Sequence, residues 1–163
     1  MRDMSLYSCL ALIEHETGLL YEAMVEKAED HRIQLLLNVI LQETRGHEEI
    51  FKHLARLFDQ TYPPAIADCK KVLGTIFTDS IELTRNLKGS VQKGMPLSEA
   101  MRKLLRYEGS VGEEYATLMH SRLSAINEED ATIKKILEYI ARDEERHEEI
   151  LKRAIEVAST KKS

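Results

Sequence analysis

Turn-forming residues are scarce in this chain. Its 163 residues include 7 Gly and 3 Pro, which leaves little turn chemistry for a fold of many short strands. Tryptophan is absent and aromatic residues make up 6% of the chain, whereas hydrophobic residues in total make up 43%. At this length one domain is the usual organisation, and it is large enough to bury a core. The composition therefore favours a single helical domain over a β fold.

Basic residues are too few to indicate a nucleic-acid-binding protein. The chain has 23 Lys and Arg against 28 Asp and Glu, which gives a formal net charge of −5. Proteins that neutralise phosphates usually present a basic face, and the Lys161-Lys162 pair is better interpreted as a solvated tail. Charges of both signs alternate along the chain, as is typical of helices exposed to solvent.

Long apolar runs are also missing. No run approaches the ~18 residues of a membrane span, and Glu14 and Glu16 interrupt the first apolar stretch. The N-terminus does not show the order of basic, apolar and small residues that is typical of a secretion signal. Cys9 and Cys69 match no zinc or redox spacing, and we interpret them as buried free thiols of a reducing compartment. The expectation is a cytoplasmic protein that does not contact a membrane.

Apolar residues recur at helical spacing in four long stretches. These stretches predict helices over residues 4–28, 31–58, 98–123 and 127–158, and Asp30 is placed to cap the second. Pro63 and Pro64 end the first pair of helices. The sequence therefore predicts a single domain over residues 1–163, made of a helix pair (4–59), a crossover with one or two helices (63–95) and a second helix pair (97–159).

The second helix pair repeats the first. The segment His47–Lys52 (HEEIFK) returns as His147–Lys152 (HEEILK), and the apolar positions around it return at a constant offset of 100 residues. Glu14 precedes Tyr21 by seven residues, and Glu108 precedes Tyr115 by the same interval. Two similar helical hairpins joined by a long crossover predict an all-α four-helix bundle with one crossover connection.

Acidic and histidine side chains interrupt the apolar faces of these helices. Positions three, four and seven apart share a helix face, so Glu14 and Glu108 fall on or beside the buried faces of the first and third helices. His47 lies on the same kind of face of the second helix, and Glu144 and His147 on that of the fourth. A single inward Glu or His is more often an ordinary core or edge residue. Because the pattern recurs in both halves, and unpaired buried charge is costly, a shared metal ion is favoured.

This pattern resembles the rubrerythrin branch of the ferritin-like di-iron carboxylate proteins. The family pattern is a Glu from each of two helices and a Glu-x-x-His motif from each of the other two. The resemblance covers both helix pairs and leaves out the crossover. It implies a ferritin-like four-helix bundle whose metal ligands include Glu14, His47, Glu108, Glu144 and His147.

The second helix departs from the family motif at one position. Thr44 stands where the family has a Glu that bridges two metals. Glu43 lies beside it, four residues before His47 and on the same side of the helix, and a π-bulge near Gly46 would bring it inward. Glu43 is therefore the sixth predicted ligand, and the site is complete, asymmetric or mononuclear. Val111 also stands where rubrerythrins have an additional Glu, and no four-cysteine electron-transfer module is present.

Hydroxyl groups are expected around the ligands. Tyr21, Tyr115 and Thr44 are placed to donate hydrogen bonds to ligand carboxylates. Carboxylate and imidazole ligands suit iron or manganese, and zinc can occupy such sites. The resemblance implies a di-iron protein, with oxidoreductase or ferroxidase chemistry on O2 or peroxide. The alternative is a non-catalytic helical bundle with a degenerate metal site, which acts in protein association.

Self-association is the last expectation from the sequence. Ferritin-like bundles of this branch are often homodimers, so the resemblance implies a homodimer here. Ile76, Phe77 and Ile81 in the crossover are apolar residues beyond those that a four-helix core needs. They suggest a surface that a second copy covers, and the alternative is that they pack on the four-helix core itself.

Overall fold

Helices account for the regular structure in the described part of the chain. The computed structural model describes residues 5–107 and 131–160. Their helices are α1 (Leu6–Lys27), α2 (His31–Leu57), α3 (Ile66–Leu73), α4 (Thr75–Gln92), α5 (97–107) and α6 (Ala131–Thr160). No strand occurs in these two ranges, which confirms the predicted all-α class. Predictions for residues 108–130, including Glu108, Val111 and Tyr115, lie outside the described residues.

The chain divides into two compact units, Met1–Leu97 and Ser98–Ser163. In the first unit α1 packs against α2, α3 and α4, and in the second the main described element is the long helix α6. The prediction of one domain stays a prediction. None of the helices in the described ranges is long and apolar enough to cross a membrane.

Both ends of the α1–α2 hairpin are fixed by side chains that cap helix termini. At the loop, the Asp30 carboxylate accepts a hydrogen bond from the Arg32 backbone N–H at 2.8 Å, which confirms the predicted cap. At the open end, the side-chain oxygen of Gln60 accepts from the backbone N–H groups of Tyr7 (2.9 Å) and Ser8 (3.1 Å). Gln60 thus satisfies two of the free donors at the start of α1 from more than 50 residues away in sequence, 53 in the case of Tyr7.

A left-handed residue ends α2. Asp59 has φ 54°, its N–H donates to the Arg56 carbonyl, and the next N–H, of Gln60, donates to the Ala55 carbonyl. This pair of hydrogen bonds is the Schellman arrangement. The turn directs the chain back toward the start of α1, where Gln60 makes its capping contacts.

The crossover forms two helices, as the sequence allowed. Gly74 separates α3 from α4 with φ 59°, a conformation that residues with a Cβ rarely adopt. Phe77 and Ile81 on α4 are 1% and 8% exposed, and α4 packs against α1. These two side chains therefore pack in the core of their own chain, which is the alternative that the sequence left open for them, and the homodimer stays a prediction.

The two cysteines are bonded to each other. Cys9 on α1 and Cys69 on α3 form a disulfide with a Cα–Cα distance of 5.4 Å, and neither residue is exposed. The prediction of two free thiols was wrong, because sequence spacing does not reveal that α3 returns to the start of α1. Disulfides persist mainly in oxidising compartments. Free thiols were one of the grounds for the expected cytoplasmic location, and the disulfide removes that ground.

Removal of the disulfide should lower stability substantially. The bond spans 60 residues of sequence, so the Cys9→Ala, Cys69→Ala double variant should lose roughly 2–4 kcal/mol of unfolding free energy in urea. The unfolding free energy of the wild-type protein, measured with a thiol reductant present, should approach that of the double variant. Thiol titration of unreduced, denatured wild type should find no free thiol. Two free thiols would contradict the cross-link.

The two left-handed turns should respond oppositely to substitution. Asp59→Gly relieves an unfavourable left-handed residue and should raise the unfolding free energy by about 0.5–1 kcal/mol. Gly94 has φ 104° just after α4, so Gly94→Ala should lower it by about 1 kcal/mol. Urea unfolding of both variants measures the difference. Destabilisation by Asp59→Gly would show that the Asp59 side chain contributes more than the strain costs.

Candidate metal centre

The α1–α2 contact buries two polar side chains next to each other. Glu14 on α1 is 5% exposed and His47 on α2 is 3% exposed. Each lies on a helix face that is otherwise apolar, with Leu10 one turn before Glu14 and Phe51 one turn after His47. The buried positions of Glu14 and His47 agree with the inward faces expected from the sequence. Helical periodicity alone therefore places a carboxylate and an imidazole in the hairpin interior.

The distance between these groups suits a shared ion. The Glu14 Oε1 atom lies 3.9 Å from His47 Nδ1. Ligand atoms bound at about 2.0–2.2 Å to one metal are at most ~4.2 Å apart, so the two atoms fit the coordination sphere of a single cation. Carboxylate oxygen and imidazole nitrogen are also donors that iron, manganese and zinc accept. The residues present therefore fit a metal ion.

The fourth predicted helix carries a second pair of the same kind. On α6, Glu144 Oε2 lies 3.6 Å from His147 Nδ1, and the residues are three positions apart on one helix face. His147 is 2% exposed, whereas about a quarter of the Glu144 side chain is exposed. Each compact unit thus contains a Glu–His pair with a separation that fits one ion.

Thr44 keeps the inward position on α2. It is 1% exposed, three residues before His47, while Glu43 is only half-buried. α2 is an α-helix from His31 to Leu57, without the π-bulge expected at Gly46. The structure therefore places the neutral hydroxyl of Thr44, and not the Glu43 carboxylate, on the buried face beside His47.

Thr44 also lies opposite a glycine of α1. Gly18 on α1 faces it, since a Cβ atom added to Gly18 would stand 3.8 Å from Thr44 Cγ2. Tyr21, one turn further along α1, is 1% exposed. Position 44 thus faces α1, and a Glu there would need more room than a Thr.

A neighbouring ion-pair network was missed in the sequence. Glu48 on α2 is 9% exposed. Its Oε1 atom lies 3.1 Å from Nδ1 of His15 and 2.6 Å from Nζ of Lys52. The Lys52 ammonium in turn lies 4.9 Å from the centre of the Tyr62 ring. The spacing of Glu48 and Lys52, four residues apart on one helix, could have predicted this ion pair. The corresponding pair in the second copy of the repeat, Glu148 and Lys152, lies 2.8 Å apart. Because Lys52 and His15 already face its carboxylate, Glu48 is a poorer metal ligand than Glu14.

The network also changes two pKa values. The hydrogen bond and the charge of Glu48 raise the pKa of Lys52, so the ammonium form is favoured beside this carboxylate. Burial raises the pKa of Tyr62, and the Lys52 charge acts in the opposite direction. Both groups therefore keep their protons at neutral pH, and the network holds a fixed positive charge next to Glu48.

Comparison with known proteins assigns no family to this chain. No protein-family model, no curated protein and no solved structure matches it. The fold and the site therefore define only a class, which is an all-helical chain with a buried Glu–His pair. The function must be inferred from the residues themselves.

The buried Glu14–His47 pair should cost stability in the metal-free protein. The double variant Glu14→Leu, His47→Leu replaces it with apolar side chains and should unfold at an equal or higher free energy, by up to about 2 kcal/mol. His47→Leu alone leaves the carboxylate without its imidazole neighbour and should lose about 3 kcal/mol. Urea unfolding with a chelator present measures both. A double variant that is less stable than the single variant would contradict this account.

Proposed function

We propose that this protein binds iron, most simply as a di-iron centre, and performs ferritin-like oxidoreductase or ferroxidase chemistry with O2 or peroxide. The observation that carries the proposal is the buried carboxylate–imidazole pair of Glu14 and His47, 3.9 Å apart in the α1–α2 hairpin. Burying such groups inside an apolar hairpin lowers the stability of the metal-free fold. Their presence there therefore favours a binding function.

The internal repeat extends the proposal from one pair to a full centre. Glu144 and His147 stand 3.6 Å apart on α6, at the positions that the 100-residue offset relates to Thr44 and His47. In the proposed ferritin-like bundle each helix pair supplies one half of the ligands. Glu108 completes the proposed ligand set, because it precedes Tyr115 by the same seven residues that separate Glu14 from Tyr21.

Each residue has a defined task in this proposal. The carboxylates of Glu14 and Glu144 supply negative charge to a divalent ion, and the two imidazoles supply neutral nitrogen ligands. The apolar faces around them exclude water, which strengthens the attraction between cation and carboxylate. The Thr44 hydroxyl can hold a hydrogen bond next to His47. Iron bound there would supply one-electron chemistry with O2 or peroxide.

A non-catalytic bundle is the second candidate, and Thr44 favours it. The family motif requires a carboxylate at this buried position, because a bridging Glu neutralises two cations and fixes their spacing. Thr44 is a neutral and weak ligand there, and Glu43 is only half-buried. In this alternative the degenerate site binds one structural ion or none, and the protein acts in association with another protein.

Anaerobic Fe(II) titration separates the two candidates. Glu144→Ala should abolish metal binding, whereas Glu43→Ala should only weaken it, because Glu144 supplies the intact Glu-x-x-His half-site. Thr44→Glu completes the family motif and should tighten the binding of a second iron. Bound metal is measured by elemental analysis, and oxidation by the optical spectrum after air is admitted.

The matched control is Glu149→Ala, which removes a carboxylate of the same helix at an exposed position. It should bind iron as wild type does. Loss of binding in this control would indicate a general effect of charge. If wild type binds no iron, manganese or zinc, the metal proposal fails. Binding without a spectral change in air supports the structural-ion alternative. If wild type and Thr44→Glu bind two Fe(II) ions with equal affinity, residue 44 does not occupy the position that bridges the two metal ions.

A further inference from the structure

A second polar contact joins α1 and α2 next to the buried Glu14–His47 pair. It consists of His15 and Glu48, which directly follow the two members of the buried pair in sequence, and we call it the outer pair. His15 Nδ1 lies 3.1 Å from Glu48 Oε1. Because a carboxylate oxygen only accepts, Nδ1 is the donor of this hydrogen bond. Each helix therefore contributes one carboxylate and one imidazole to two neighbouring contacts.

The two contacts restrain the helices differently. The outer pair has an ordinary hydrogen-bond length of 3.1 Å, whereas Glu14 Oε1 and His47 Nδ1 are 3.9 Å apart, which is longer than a hydrogen bond. The atoms of the buried pair are therefore not held together by a hydrogen bond between them. The hydrogen bond of the outer pair, one residue further along both helices, restricts how far α1 and α2 can separate at this point.

Glu48 is held in place by a further contact on its own helix. Its Oε1 atom also lies 2.6 Å from Lys52 Nζ, and the Lys52 ammonium lies 4.9 Å from the centre of the Tyr62 ring. Only 11% of the Glu48 side chain is exposed, against 43% for His15. A fully exposed ion pair contributes little, because ordering two long side chains offsets the attraction. Glu48 is buried and contacted from both helices, so it is a fixed acceptor for His15.

The second copy of the repeat does not contain this outer pair. The repeat relates Glu14 to Glu108, and the residue after Glu108 is Gly109 rather than a histidine. Glu148 matches Glu48 and keeps an ion pair with the lysine four residues later, but 40% of its side chain is exposed. An interhelical hydrogen bond of this kind is therefore specific to the first copy of the repeat.

The two Glu–His pairs differ in what fixes their separation. Glu144 and His147 lie three positions apart on α6, so the geometry of one helix fixes the distance between them. Glu14 and His47 lie on different helices, so their distance depends on how α1 packs on α2. The outer pair thus occurs in the half of the repeat whose Glu–His pair spans two helices.

We propose that the outer pair, His15 and Glu48, positions the buried pair at the separation that one metal ion bridges. The inference rests on the proposed metal-binding function. Neither residue of the outer pair is a ligand in it, since each is engaged by the other and Glu48 also by Lys52. Loss of a group that orients metal ligands typically weakens metal affinity about 10–100-fold. Loss of the interhelical hydrogen bond should therefore weaken metal binding to this extent.

Anaerobic Fe(II) titration of three variants tests the positioning role. Glu48→Leu and His15→Leu each remove the hydrogen bond and should raise the Fe(II) dissociation constant at least about tenfold. Glu48→Gln removes the charge but keeps an oxygen that accepts from His15, so it should stay within about threefold of wild type. Equal losses in Glu48→Gln and Glu48→Leu would mean that the charge acts and not the hydrogen bond, which overturns the proposal. This comparison decides by itself if His15→Leu does not fold.

The His15→Leu, Glu48→Leu double variant separates positioning from direct binding of the metal. Because both residues act through one hydrogen bond, the double variant should bind Fe(II) within about threefold of the weaker single variant. Losses that multiply would mean that the two residues act independently. Tighter binding by His15→Leu would mean that the variant releases Glu48 to the metal. Either result overturns the proposal.

The matched control is Glu148→Leu, which removes the corresponding carboxylate next to His147. It should change the affinity by less than about threefold, because its carboxylate has no histidine at the matching position of the repeat. A loss as large as that of Glu48→Leu would show a general effect of charge beside a ligand histidine, and the positioning role would be wrong.

Urea unfolding with a chelator present distinguishes positioning from support of the fold. Lower stability of Glu48→Leu and His15→Leu with unchanged Fe(II) affinity would show that the outer pair only stabilises the hairpin. In that case this inference fails and the proposed metal-binding function stands. If wild type itself binds no metal, both fail together. Circular dichroism establishes that each titrated variant is folded.

Discussion

The placement of Glu14 against His47 is the constraint on which the first unit depends. An apolar pair at these positions would pack without the desolvation cost of a carboxylate, so the hairpin gives up stability to keep polar groups in its interior. To hold these two atoms 3.9 Å apart, α1 and α2 must keep one register along their whole contact. Gly18 of α1 faces Thr44 of α2 in the same contact.

The remaining features of this unit hold that register. Asp30 caps α2 at the loop, and Gln60 caps α1 at the opposite end of the hairpin. The Cys9–Cys69 disulfide then attaches α3 to α1 within the same unit. A shift of α1 along α2 by one turn would break the Gln60 contacts and separate Glu14 from His47. The buried pair is thus positioned by groups far from it in sequence.

Local patterns were readable from the sequence, and contacts between distant segments were not. Periodicity predicted α1, α2 and the inward positions of Glu14 and His47, because a buried helix face imposes its spacing on the residues. It did not predict the disulfide, since nothing around Cys9 or Cys69 shows that α3 returns to α1. It did not predict the Glu48 network either, because the contact with His15 joins two helices. A π-bulge near Gly46 would have turned Glu43 toward the interior. α2 is instead a regular α-helix, which leaves Thr44 on its buried face.

A comparison of the two repeat helices, α2 and α6, distinguishes the residues that both share from those that differ between them. Their inward faces match at an offset of 100 residues, so burial of one helix face accounts for Ile33, Leu37 and Ile40 and for their counterparts Ile133, Leu137 and Ile140. The outward faces differ, because packing within one chain places no demand on them. The difference between Thr44 and Glu144 is of another kind, because it changes the charge of a position beside a buried histidine. In the proposed metal centre the α2 half-site is therefore the weaker one, because a neutral hydroxyl does not balance the charge of a cation as a carboxylate does.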